Sequence, residues 1–277
     1  MDTRPDSILA LGFLSPHVEH YIQEHRKQHA AMFEVADELN RIGQRILGDA
    51  KVTVTEKGAS DPKLITLLLL IRTLSNFQGA ILLAERAMIV EALTLARSCY
   101  ENAYMLAALK KEGDKFVKDM LAAEMHARKG QSKWMLDDPA RLEAVPGGVE
   151  QMKKNIEAIN AEGKTAPLDF KDVAERGGIE DFYIWYKNLS WEAAHPTIQA
   201  LSRYFGEGED KGTVIWGPKV GPKAVGDALS YCLSAVFGAV LICGEELGSQ
   251  ETQVEASALW QRYKALVLPT DSAGGKG

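Results

Sequence analysis

The sequence predicts an all-α protein: a multi-helix bundle with a long N-terminal helix and at most one short β-hairpin near 206–221. Three observations carry this expectation. Apolar residues recur at spacings of three and four through most of the chain, Pro and Gly punctuate segments of helical length, and no βαβ alternation is present. With 277 residues, 46% of them hydrophobic and 25% charged, the chain can bury an ample core, and general disorder is excluded. No repeat of helical-repeat length is visible.

The elements follow in order. Pro16 opens a long helix to about Leu47, whose seam of Val18, Ile22, His25, His29, Met32, Ala36, Leu39, Gly43 and Ile46 alternates spacings of four and three. Gly48 to Ser60 reads as a loop. Asp61-Pro62 starts a second helix in which apolar residues run through Met88 on almost every side, as expected of a central helix little touched by solvent. A third, about Ile89 to Lys111, carries Arg97 and Glu101 and ends at Gly113, before another running to about Leu136. After a loop bracketed by Asp137-Asp138-Pro139 and Val145-Pro146-Gly147-Gly148, weaker amphipathic helices cover about 149–161 and 169–176. Ile179 to Ala194 reads as one further helix, and Pro196 starts the next, to about Phe205. Gly206 to Gly221 is a Gly-rich loop with a strand at Thr213 to Trp216, and two helices, about 222–247 and 249–266, complete the bundle. The organisation expected is a long N-terminal helix over 1–50 packed on or extending from the bundle, a core domain over 51–268, and a disordered tail over 269–277.

Composition removes several function classes. The net charge of −6 provides no global positive field to gather phosphates, which argues against nucleic acid as a partner. Cys99, Cys232 and Cys243 form no CxxC pair, and the N-terminus lacks a basic n-region followed by a long apolar stretch, so a reduced, cytoplasmic setting is expected. The best candidate for a membrane span, Ala228 to Gly244, has 17 uncharged residues, but it contains Ser230, Tyr231 and Ser234 and is flanked by acids. A buried helix is the expectation there, and no membrane partner.

Cofactor and metal signatures are missing. GxGxxG, GxxxxGK[ST], GxSxG and HExxH do not occur, and neither a cofactor nor a metal is expected. His25-x-x-x-His29 places two imidazoles on one helix face, but no cysteine is near, and Glu192-x-x-His195 is a single copy where a di-iron bundle needs two. The two histidines are expected as half-buried residues at a bundle end rather than ligands. Gly217-Pro218-Lys219-Val220-Gly221-Pro222-Lys223 reads as a turn into a helix, because proline removes the N–H groups that a phosphate cradle uses.

Two polar constellations remain. Thr94, Arg97, Ser98 and Glu101 fall on one stripe of the third helix, either as its narrow solvent side or as a pair facing inward that holds something. Buried, such a pair costs several kcal/mol unless fully partnered, so burial would ask for a reason beyond stability. The second constellation is Ser190-x4-His195-Pro196. Pro196 disfavours helical geometry at His195, leaving the imidazole at a corner between two helices, with Glu192, Arg203 and Tyr204 nearby in sequence.

Ala96-Arg97-Ser98-Cys99-Tyr100-Glu101 after a long apolar helix, followed downstream by Leu189-Ser190-x4-His195-Pro196, resembles the bacterial family catalogued as domain of unknown function 5677. The resemblance extends over roughly residues 60 to 245. It implies an all-helical fold whose recurring polar features are the Arg/Glu helix and the Ser/His corner, and it brings no settled activity with it.

Should the two constellations converge, Arg97, Glu101 and His195 form an acid, base and cation set in a cleft, with Ser190, Arg203, Tyr204 and Arg97 as candidate ligand-binding residues. The leading expectation is a cytoplasmic prokaryotic protein that binds a small ligand or a protein partner, in stress or defence, with homo-oligomerisation through the first helix as one route. The sensor version of this reading has Arg97 holding an anionic group. The alternative is a metal-independent ribonuclease or toxin-like enzyme, His195 acting as general acid/base and Arg97 stabilising the transition state. Against it, no arginine stands four to seven residues upstream of His126 or His195, the spacing that marks similar helical nuclease toxins.

Overall fold

The computed structural model describes residues 7–53, 55–143, 146–207, 212–216 and 222–267. Ser7 caps a short first helix, α1 (Ile8–Leu11), its hydroxyl accepting the Ala10 N–H. A 3₁₀ turn leads into α2 (Val18–Gln28), and α3 (Ala30–Asp49) follows at once. α4 (Pro62–Glu85) begins where Asp61 accepts the Lys63 N–H and Pro62 supplies a preset φ. α5 (Ile89–Glu112) gives way to α6 (Asp114–Leu136) at Gly113, whose φ of 53° suits a residue without Cβ. Then come α7 (Gly148–Glu162) and α8 (Phe170–Gly177), the latter capped by the Asp169 carboxylate on the N–H groups of Lys171 and Asp172. α9 (Tyr183–Leu189) widens into a π-helical turn, Ser190–Ala194. After α10 (Ile198–Leu201), β1 (Phe205–Glu207) pairs antiparallel with β2 (Val214–Trp216), and α11 (Pro222–Leu247) and α12 (Gln250–Val267) follow. The protein is therefore an all-α multi-helix bundle with one short β-hairpin.

α5 is the central helix. It packs against α4, α6, α8, α9, the π-helical turn and α11, while α11 also meets α3, α4 and α12. Leu70, Leu74 and Phe77 of α4, Ala96, Cys99 and Tyr104 of α5, and Leu233, Val236 and Val240 of α11 are sealed from solvent in one continuous core. α8 approaches α5 closely enough that a Cβ on Gly177 would lie 2.7 Å from the Ala107 Cβ. All three cysteines are free and buried among these helices.

Three expectations are corrected. The long first helix is two helices, broken at His29 (φ −115°, ψ 30°). The halves seat differently on the bundle. α2 lies against the end of α4, where His25 Nδ1 donates to the Glu85 carbonyl at 2.9 Å and Arg26 Nε to the Glu85 carboxylate at 2.8 Å; α3 packs on α11, α12 and α4. The α3 seam of Val35, Ala36, Leu39 and Ile46 is buried within the chain itself. Second, α4 is not the central helix, for Leu68, Ile71 and Leu82 on its far side are half exposed. Its composition is uniformly apolar, whereas its neighbours cover only one side. By length and composition alone, Pro62–Glu85 and Lys223–Leu247 are both apolar enough to cross a membrane, and the more apolar, of mean hydropathy 1.8, is 56% buried in the bundle. Third, residues Ile179 to Ala194 are not one α-helix but a 3₁₀ turn, α9 and the π-helical turn. The turn at 217–221 and the tail at 269–277 lie outside the described residues.

Candidate functional site

Arg97 and Glu101 are one helical turn apart on α5, and both are about four-fifths buried. Arg97 Nη2 reaches Glu101 Oε1 at 2.9 Å and the Tyr186 hydroxyl at 2.8 Å, and Nε donates to Ser190 Oγ at 2.9 Å. The Tyr186 hydroxyl in turn donates to Glu101 Oε1 at 3.3 Å, and its ring lies under the guanidinium, 4.8 Å from Cζ to centroid. Ser190 donates back to the Tyr186 carbonyl at 2.9 Å. Every member therefore has a partner, which is the condition under which a buried ion pair does not destabilise a fold. Desolvation raises the Tyr186 pKa, with Arg97 opposing, so the phenol stays neutral and keeps its proton for Glu101.

This network joins the two constellations, but not through His195. The structure brings Arg97, Glu101 and Ser190 together and leaves His195 outside. The imidazole is exposed and forms no hydrogen bond or ion pair with the described residues. Its backbone is extended (φ −118°, ψ 138°), as a residue before proline requires, and this ends the π-helical turn. Tyr186 takes the place expected of His195. One signal pointed to it: Tyr186 precedes Ser190 by four residues and so shares its helix face.

Arg203 and Tyr204 belong to a different place. They line a cavity of about 700 Å³ on the other side of the α9 segment, together with Trp185 and Glu192 from that segment. α5 and the turn before it supply its apolar base of Ala87, Ile89, Leu93 and Tyr100. α11 closes it with Asp227, Ser230, Tyr231 and Ser234. Alternate residues of one short segment therefore look two ways: Tyr186 and Ser190 into the network, Trp185 and Glu192 into the cavity. Arg203 pairs with Glu192, and Lys223 with Asp227 at 2.5 Å. Ala87 stands at φ 63°, the one non-glycine residue with positive φ among the described residues, and forms part of the cavity wall. Desolvation raises the Tyr100 pKa well above its ordinary value and raises those of Tyr204 and Tyr231, so all three hydroxyls are neutral donors at pH 7.

No group of three or more His, Cys, Asp or Glu among the described residues could hold a metal ion. His25 is buried and bonded to the Glu85 carbonyl, and His29 stands at the break between α2 and α3, its Nε2 buried without a partner.

Fold and site together define an all-α bundle in which a saturated polar clamp holds one wall of an open cavity. The chain belongs to the family of unknown function DUF5677, whose model matches residues 63–212, more than half of its length. The match contains all four clamp residues and stops short of α11, which closes the cavity. No curated protein and no solved structure matches the chain.

Proposed function

We propose that the protein is a small-ligand-binding module whose ligand occupies the cavity between α5, the α9 segment and α11. The observation that carries this reading is the cavity itself. Its volume of about 700 Å³ falls in the range of small-molecule sites, and its apolar and aromatic walls carry a few converging polar groups, as such sites do. The clamp supports it from outside: Arg97 pins Tyr186 and Ser190, and thereby the short segment that presents Trp185 and Glu192 to the ligand. Arg97 is committed to Glu101, Tyr186 and Ser190, so it acts as a positioning residue rather than a holder of an anionic group. The nuclease alternative loses its support for the same reason, since its cation is neutralised and its base, His195, stands apart.

Thermal melting against a broad panel of metabolites tests the reading. A ligand at 100 times its Kd should add about 2.7 kcal/mol to the stability of the folded state. Ala224→Trp, placed in the cavity wall, should abolish that shift while leaving the unliganded melting temperature near wild type. A panel without any hit, or a hit indifferent to Ala224→Trp, would remove the cavity as the site.

A further inference from the structure

Charge and hydrogen bonding inside the cavity narrow the ligand class. Three acids line it, Glu91, Glu192 and Asp227, against two bases, Arg203 and Lys223. Each base already has its acid: Arg203 holds Glu192, and Lys223 holds Asp227. Glu91 is exposed and forms no ion pair with the described residues, so among these residues the cavity has one carboxylate without a cation. The Tyr204 ring lines the same cavity, so a carboxylate and an aromatic ring face one space. An ammonium is attracted by both. An anion would meet Glu91 directly and find both cations occupied.

A second observation is independent of charge. The Tyr100 residue is only 2% exposed, yet its hydroxyl forms no hydrogen bond with the described residues and is not sealed from solvent, so it opens onto the cavity it lines. Its neighbour Tyr104 shows the ordinary outcome, donating to the Phe182 carbonyl at 2.9 Å, as does Tyr263, which bonds to Ser230 and Ser234. A donor that faces the cavity and is not used by the described residues is met by water when the cavity is empty and is free to bond a ligand's acceptor.

We propose that the cavity takes a small organic cation: a protonated amine held between the Glu91 carboxylate and the Tyr204 ring, whose apolar body lies on Ile89 and Leu93 and offers a hydrogen-bond acceptor to the Tyr100 hydroxyl. The inference rests on the cavity being a ligand site and names the class of ligand. The acid at the start of α5 also complements that helix's dipole, but this role leaves Tyr100 unexplained.

Isothermal titration of the full chain at pH 7 with three probes of one shape tests it: tyramine, tyrosol and 4-hydroxyphenylacetate, which carry positive, zero and negative charge on the same ring. Tyramine should bind roughly tenfold more tightly than tyrosol, and the carboxylate most weakly. Glu91→Gln should erase the advantage of tyramine over tyrosol, and Tyr100→Phe should weaken both alike. Binding of the carboxylate as tight as that of tyramine, an unchanged order in Glu91→Gln, or no binding of tyramine at millimolar concentration would each overturn the proposal. If one of these occurs while a metabolite of the broader panel binds and Ala224→Trp blocks it, the ligand class is wrong and the cavity remains the site. If the panel also yields nothing, the binding reading falls with it.

Discussion

The two polar regions flanking the α9 segment contrast in how far their hydrogen bonding is satisfied. In the clamp, Arg97, Glu101, Tyr186 and Ser190 meet one another's donors and acceptors within one chain. In the cavity, the exposed Glu91 carboxylate and the Tyr100 hydroxyl have no partner among the described residues and face the cavity instead. A saturated network spends its interaction energy on the fold and leaves none for a ligand; an unsaturated wall does the reverse. Isolated charges in an apolar helix are thus ambiguous markers of a site, and the partner of each group decides.

The widest effect should come from pH, because it acts on both regions at once. Tyr100, Tyr186, Tyr231 and Tyr263 all have pKa values raised above 10.0, chiefly by desolvation. The folded state then holds these protons more tightly than the unfolded one. The stability they contribute is fully present below pH 10 and is lost as pH rises beyond it. Melting temperature should fall steeply above about pH 10, with tyrosinate absorbance rising in the same transition. Ionisation at the ordinary value without unfolding would show the phenols open to water.

Arg97→Ala should destabilise the protein by about 3 kcal/mol in urea unfolding, since it leaves Glu101 mostly buried without its cation. The double variant Arg97→Met with Glu101→Leu should cost less than Arg97→Ala alone, because no charge is then left unpaired. A larger loss in the double variant would contradict the clamp. Tyr186→Phe keeps the ring under Arg97 and removes the hydroxyl, for an expected loss of about 1 kcal/mol.

Tyr100→Phe sharpens the contrast most directly. Removing a hydroxyl that only faces the cavity should leave stability nearly unchanged, and similar losses in Tyr186→Phe and Tyr100→Phe would erase the distinction between clamp and cavity. His195→Ala should be the mildest, within about 0.5 kcal/mol, as befits an exposed side chain without a partner among the described residues. Growth arrest on induced expression that His195→Ala relieves would instead restore the enzyme reading.

Much of the fold was readable because helix starts and stops are local. Asp61-Pro62, Gly113 and the His195-Pro196 corner act on φ, ψ and hydrogen bonds within four residues, so residue types alone place them. The same holds for the Arg97–Glu101 pair, whose i,i+4 spacing guarantees proximity in any α-helix. The break at His29 was hidden because both halves obey one heptad-like seam, and the bend follows from how α2 and α3 seat on the rest of the bundle. α4 misled for a related reason: its composition reports what could be buried, not what a neighbour covers.

The site divides along the same line. Local rules specified which groups stand on one face: Arg97 with Glu101 on α5, and Tyr186 with Ser190 across one turn of α9 and its π-helical extension. Long-range packing chose the rest. It brought together side chains 85 to 93 residues apart in the chain, put Tyr186 where His195 was expected, and turned Trp185 and Glu192 toward a cavity closed by α11. Those outcomes depend on the volume and placement of helices that meet only in the folded chain, where dense packing allows one arrangement of neighbours and leaves the Tyr100 hydroxyl facing the cavity.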